Sequence, residues 1–384
     1  MLQSQIDAAV RRAVDQLLAE DGFRHYSGAQ CERLTAELSH RLGASEVLLC
    51  SSGTAALELA LRAAGVEAGD EVLLSAYDYP GNFWAVERVG ARPLLLDVEA
   101  GSWCISVDQL SQAWEADPAP SLKAMVVSHL HGQLQPILAL RRWCEQRGIV
   151  LIEDACQALG ASIDGQAVGS LGDASIVSFG GSKMVSSGRG GALLTSDASI
   201  AQRAKKNLGG GSGPYSLSEL QATAVVAQLP WIDAIVQSCR EFFAELANCL
   251  RGQEMVTVPF AAGLSNTSFY QAGLLCNWAL PHYSDGSTQK SDAATSSKSR
   301  ADHIEHRSTL QALAIQALRQ ADVPAGVGFA GFHRRSPRRC RHWQPLQQAA
   351  LVAAGTCTIH FSAALNGGAT PQQIAAALDQ LGKI

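Results

Sequence analysis

The sequence predicts an α/β protein, with a mainly parallel, seven-stranded sheet in a large first domain and a smaller α+β domain after it. Over residues 1–230, seven short apolar runs rich in β-branched residues alternate with segments of helical period. Strands that are apolar throughout, rather than at every second residue, belong to a sheet covered on both faces, and alternation with helices makes such a sheet parallel. At 384 residues, 47% hydrophobic and 17% charged, the chain is long and apolar enough for a large core and a second, smaller one.

In chain order the runs are Val47–Cys50, Glu71–Ser75, Arg92–Val98, Ala124–Leu130, Ile149–Asp154, Ala174–Phe179 and Gly191–Thr195. Helical period is clearest over Ala55–Ala64, Ile137–Arg147 and Ile200–Lys206. Ser218–Leu250 is helical with one break, at Pro230, and reads as a long connection into the second domain. The expected domains are 1–235 and 236–384. In the second, Glu254–Val258, Ala272–Trp278 and Gly355–Phe361 read as strands, and His306–Ala321 and Pro371–Leu381 as helices. His282–Arg307 is dense in Ser, Asp, Lys and Thr, which cannot bury itself, so a mobile loop or an insertion is expected there.

A formal charge of -5 argues against nucleic acid or an anionic membrane as the main partner. No run approaches the ~20 apolar residues of a membrane span. The first 23 residues are amphipathic, carry acids throughout and lack a basic start, an apolar stretch and a cleavage site, so a cytoplasmic protein without a signal peptide is expected. Ten scattered cysteines contain no CxxC pair and several lie in apolar runs, as reduced core residues do; no metal site is expected. NLGGGSGP, residues 207–214, follows a polar helix rather than a strand, which is not the context of a dinucleotide fingerprint. The basic cluster HRRSPRRCRH, residues 333–342, reads either as a solvated loop with carboxylate partners or as a contact for an anionic substrate.

Three motifs carry chemistry. In CSSGTAALELAL, residues 50–61, a strand ends, a Ser-Ser-Gly-Thr turn follows and a helix begins at once. Such a turn serves equally as an ordinary N-cap or as an anion site, because free N–H groups and the positive end of the helix dipole converge there. In IVLIEDACQALGA, residues 149–161, an apolar strand delivers Glu153 and Asp154 at its carboxyl end, on opposite faces. In ASIVSFGGSKMVSSGRGGALL, residues 174–194, a strand runs into Gly180-Gly181-Ser182, presents Lys183 and re-enters a strand after Gly188. A lysine at a Gly-flanked strand exit suits a cleft, where desolvation and nearby positive charge free its amine for Schiff-base chemistry.

The order SSGTAAL, EDACQALGA, SFGGSK with GGALL after it, then SLSELQA, resembles the DegT/StrS family of sugar aminotransferases over residues ~20–235. The resemblance implies the fold type I architecture of pyridoxal-5'-phosphate (PLP) enzymes and a homodimer with active sites at the interface. It implies that Lys183 carries PLP as a Schiff base and shuttles the proton, and that Asp154 pairs with the ring nitrogen. Gln157 would sit near the ring hydroxyl, and Gly53, Thr54 and Ser178 would bind the phosphate. Tyr79, in SAYDYPGN, matches an aromatic residue stacked on the ring. His129, in SHLHGQ, matches a position that is either structural or in contact with substrate. Three positions depart from the family pattern: Gly213-Pro214-Tyr215-Ser216 replaces a segment carrying Asn and Arg, Leu159 replaces a His, and Arg189 replaces an acid before the Gly-Gly pair. Arg189 is thereby a candidate anchor for a substrate carboxylate or phosphate.

The implied reaction moves an amino group from Glu or Gln to a keto sugar, a cyclitol or a related carbonyl compound. A PLP-dependent lyase, eliminase or cyclase of the same fold, and a PLP-binding protein without turnover, are the alternatives. The Lys at 183 argues against the family's dehydratases, which carry His there.

Overall fold

The computed structural model describes residues 2–210, 213–253, 255–276 and 293–383. Helices α1 (Leu2–Ala19) and α2 (Ala29–Leu42) precede strand β1 (Glu46–Cys50) and helix α3 (Gly53–Ala63). Three strand–helix pairs follow: β2 (Glu71–Ser75) and α4 (Pro80–Arg88), β3 (Arg92–Leu96) and α5 (Val107–Ala116), β4 (Leu122–Ser128) and α6 (Ile137–Glu145). Next come β5 (Val150–Asp154), the two-residue strands β6 (Ser162–Ile163) and β7 (Gln166–Ala167), and the hairpin of β8 (Ala174–Ser178) with β9 (Gly191–Thr195).

Helices α7 (Ala198–Leu208), α8 (Glu219–Val226) and α9 (Ile232–Cys249) lead to β10 (Val256–Thr257) and β11 (Gln271–Cys276). The remainder is α10 (Ala293–Gln320), β12 (Ala325–Val327), β13 (Arg341–His342), α11 (Gln347–Gly355), β14 (Thr356–His360), α12 (Ser362–Leu365) and α13 (Pro371–Asp379). The large sheet runs β1-β9-β8-β5-β4-β2-β3-β13, and the smaller one β10-β11-β14-β12. In the large sheet only β9 runs antiparallel to its neighbours, β1 and β8. Its other pairings are parallel.

Alternate residues of the central strands feed two separate cores. Leu73, Met125, Val127 and Leu151 point to one face, while Val72, Leu74, Ala124, Val126 and Ile152 point to the other. Period-2 side chains with no polar position mean that both faces are covered. Each such buried Leu, Ile or Val contributes about 1.5–3 kcal/mol relative to exposure.

All seven expected strands of the large sheet form, with ends shifted by two residues at most. An eighth joins them: Arg341–His342 pairs with β3 in parallel, although it has no apolar run to announce it. The break expected at Pro230 is a 3-10 turn, Leu229–Trp231, separating α8 from α9. The polar stretch expected as a loop over 282–307 lies outside the described residues up to 292. From Ala293 onward it is helix and continues into the predicted 306–321 segment. Its alanines, lysine, arginines and glutamate are good helix formers, and its downstream part buries Leu310, Ala314 and Leu318. No helix among the described residues is long and apolar enough to cross a membrane.

Candidate active site

In a parallel sheet, groups at the carboxyl ends of the strands face a common edge. At that edge here lies a cavity of about 320 Å³, lined among others by Ser52, Gly53, Thr54, Tyr79, Asn82, Asp154, Gln157, Ser178, Lys183, Arg189 and Tyr270. Four adjacent strands supply most of it. β1 leads into the Ser-Ser-Gly-Thr turn, β5 ends on Asp154, β8 ends on Ser178, and the β8–β9 loop carries Lys183.

The turn after β1 is built tightly. The Ser52 side chain caps α3 by accepting from the Ala55 amide at 3.0 Å. A Cβ at Gly53 would stand 2.9 Å from Cys156 Sγ and 3.0 Å from Ser178 Cβ. One at Gly191 would stand 2.7 Å from Gly53 N, so β9 and the turn approach backbone to backbone. The α3 amino terminus, at Ser52, Gly53 and Thr54, lines the cavity, with the positive end of the helix dipole on that side.

Asp154 is buried and held by neutral donors only: Asn82 Nδ2 at 2.9 Å, Ser128 Oγ at 3.3 Å and the Cys156 amide at 3.0 Å. No Lys, Arg or His pairs with it among the described residues. Glu153 points the other way. It accepts from the amides of Gly169 (2.9 Å), Leu171 (2.8 Å) and Gly172 (3.3 Å), from Ser175 Oγ (2.8 Å), and pairs with His129 Nε2 (3.2 Å).

Lys183 follows a short turn closed by its own amide on the Gly180 carbonyl. Its Nζ lies 3.9 Å from the centroid of the Tyr270 ring. Burial pushes the Lys183 amine below its ordinary value, against the opposing pull of Cys156 and Asp154. The loop is clasped from the smaller sheet. Tyr270 Oη and Ser182 Oγ are 2.6 Å apart, and His360 Nε2 lies 2.9 Å from the Ser182 carbonyl.

Of the predicted residues, Gly53, Thr54, Tyr79, Asp154, Gln157, Ser178, Lys183 and Arg189 all line this cavity. Tyr79 is 44% exposed, and burial raises its hydroxyl even though Thr54 hydrogen-bonds to it. Gln157 Oε1 accepts the His131 amide at 3.2 Å. Arg189 is exposed, and its side chain has no carboxylate partner among the described residues.

His129 is the correction. It is 1% exposed, its Nδ1 accepts the Gln135 amide at 3.0 Å, and its Nε2 faces Glu153, so it does not line the cavity. Its strand-end position does not decide which way the ring turns; the pairing with Glu153 does.

Three lining residues went unread in the sequence. Asn82 lies three residues beyond Tyr79 in the first turn of α4, and SAYDYPGN could have signalled it. Cys156, two residues after Asp154, passed as one of ten core cysteines. Tyr270 comes from beyond the matched motifs, and no local pattern marks it. Within the basic cluster two of the five arginines pair with carboxylates, Arg339 with Glu87 and Arg341 with Glu71 and Asp117.

The residues present fit PLP. A buried carboxylate without a cation faces the cavity, a capped helix end stands across from it, and a desolvated amine lies on the same edge. Lys183 would hold the group, Asp154 its ring nitrogen, and Gly53, Thr54 and Ser178 its phosphate. No group of three or more potential metal ligands gathers among the described residues.

A model of the DegT/DnrJ/EryC1/StrS aminotransferase family matches residues 4–285, beyond the stretch legible by motif alone. The chain is 29% identical to the GDP-perosamine synthase of Vibrio cholerae over 251 residues, covering 62% of this chain and 67% of that one. It is 35% identical to a putative L-glutamine:3-amino-2,3-dideoxy-scyllo-inosose aminotransferase of Streptomyces kanamyceticus over 209 residues, covering 51% of this chain and 49% of the relative. It thus spans about two thirds of the first relative and about half of the second. Among solved structures, 3-amino-5-hydroxybenzoic acid synthase superposes with a TM-score of 0.80 at 22% identity, over 98% of this chain and 97% of that one. An aminotransferase of Brucella abortus gives 0.79 at 20%, over 98% and 96%. With a family match over most of its length and this fold around this cavity, the chain belongs to the DegT/DnrJ/EryC1/StrS aminotransferase family.

Proposed function

We propose that the protein transfers an amino group from glutamate or glutamine to a keto sugar or cyclitol, using PLP held by Lys183. The observation that carries this is the convergence of the Lys183 amine, the Asp154 carboxylate and the α3 amino terminus on one cavity. Bound there, PLP supplies an electron sink for the negative charge that develops at the donor Cα. Lys183 would hold the group through its amine and would be placed to move a proton to and from the donor Cα. Asp154 would hold the ring nitrogen protonated, and the free N–H groups of α3 would balance the phosphate charge. Tyr270 offers its ring face to the lysine, and the clasp through Ser182 and His360 fixes the loop that carries it. The sugar or cyclitol acceptor is supported by what the relatives are named for. The reading includes a homodimer with the cavity at its interface, supported by the half-exposed Tyr79 on the cavity wall.

The test is a half-reaction. Protein loaded with PLP should lose its yellow absorbance when glutamate or glutamine alone is added, and regain it with a keto sugar or cyclitol. A loaded protein whose spectrum no amino donor changes overturns amino transfer.

Arg189 is proposed as the anchor of the donor carboxylate. Arg189→Ala should raise the donor KM by about tenfold or more, ~1.4 kcal/mol, with a smaller change in kcat. A loss below ~1 kcal/mol removes the role.

A further inference from the structure

Asp78 is a carboxyl group for which amino transfer as derived above has no use. It is fully buried between β2 and α4. It accepts from the Tyr79 amide at 2.6 Å, from Asn82 Nδ2 at 3.2 Å and from Ser128 Oγ at 3.0 Å. The same Asn82 nitrogen and the same Ser128 hydroxyl also face Asp154, at 2.9 and 3.3 Å. Two buried carboxyl groups therefore share two neutral donors, and neither has a cation within ion-pair distance among the described residues. The amide nitrogen carries two hydrogens and can serve both groups, but the hydroxyl carries one and can serve only one at a time. The pair is short of a hydrogen, and two like charges this close in a dry site repel.

We infer that Asp78 is a positioning residue that holds a proton beside Asp154, so that Asp154 alone carries the charge presented to the cavity. When a cation stands against Asp154, the proton leaves Asp78 for solvent, and the pair then holds two negative charges against it. The first half stands on the carboxyl network alone; the second rests on PLP as the occupant. Burial and the neighbouring Asp154 push the Asp78 carboxyl up to about 7. The other titratable groups that feel Asp78 are Tyr77 and Cys156, both raised by burial and so uncharged near neutrality, while Lys183 acts on Asp154 from across the cavity.

The test is an infrared titration of the full-length, cofactor-free protein for a protonated-carboxyl band. Wild type should lose such a band with a midpoint of about 7. The band should be missing in Asp78→Asn. In Asp154→Asn its midpoint should fall by on the order of one pH unit, because the repelling charge is gone. A band that survives in Asp78→Asn, or a midpoint unmoved by Asp154→Asn, overturns the shared-proton pair. The Asp154→Asn arm reads wild-type Asp78 and decides even if Asp78→Asn does not fold. Loading wild type with PLP should lower the midpoint as well. Cofactor trapped on Lys183 with the midpoint unmoved overturns the coupling, whereas no cofactor on Lys183 overturns the proposed function and leaves the first two arms standing.

Discussion

Replacing Lys183 by Ala should lower the rate of amino transfer by at least ~10²–10⁴-fold, the range associated with one positioned proton-transfer group. The loss is expected to be large because the proposed function gives the same nitrogen two tasks, holding the cofactor and moving the proton. Both need it uncharged at some point, and burial already lowers its proton affinity. Lys183→Arg should not rescue, because a guanidinium stays protonated and cannot condense. Borohydride reduction of the loaded wild type should fix cofactor to Lys183, as read by peptide mass, and should fix none in either variant. Turnover above about a tenth of wild type in Lys183→Ala would exceed what this assignment allows.

The largest stability effect is expected at Glu153. Its carboxylate is 0% exposed and collects three backbone amides of residues 169–172, the Ser175 hydroxyl and His129. Glu153→Ala leaves these groups buried without an acceptor and should destabilise by about 3–5 kcal/mol, measured as a lowered denaturant midpoint. A loss under ~1 kcal/mol would mean that water or a shifted loop replaces the carboxylate. The pH dependence has a definite sign. Burial would raise this carboxyl, but His129 and the amides of Gly169 and Leu171 outweigh it and hold it below its ordinary 4.5. A lowered native value gives stability that is present above 4.5 and lost as the pH falls through the native value. Wild type should lose more stability on acidification below 4.5 than Glu153→Ala does.

The large sheet was legible because its strands are apolar on both faces through their middles, with polar residues mainly at their ends. A covered parallel sheet demands that, and few other structures produce it in runs of five. The helix from Ala293 was not legible because composition reports what a segment can bury, whereas its helicity comes from propensity and from continuity with a buried downstream half. In the site, the groups on contiguous motifs could be read in place: Lys183, Asp154 and the turn at Gly53. Tyr270 and His360 could not, since they reach the lysine loop from strands paired far along the chain. The open choice at His129 has the same root. Its partner Glu153 lies on the neighbouring strand β5, and a one-dimensional motif does not reveal which side of a sheet a pairing claims.

The position of β9 between β1 and β8 fixes the gauge of the site. The strand that leads into the Gly53 turn and the strand that leads into the Lys183 loop lie two intervals apart in the sheet, each about 4.8 Å, and the strand that ends on Asp154 lies one interval beyond β8. Backbone hydrogen bonds determine those intervals, and no side-chain replacement can stretch them. Side-chain variation can therefore reshape the rim of the cavity, at Arg189 and at Tyr270 just before β11, while the spacing of the strands beneath it stays fixed.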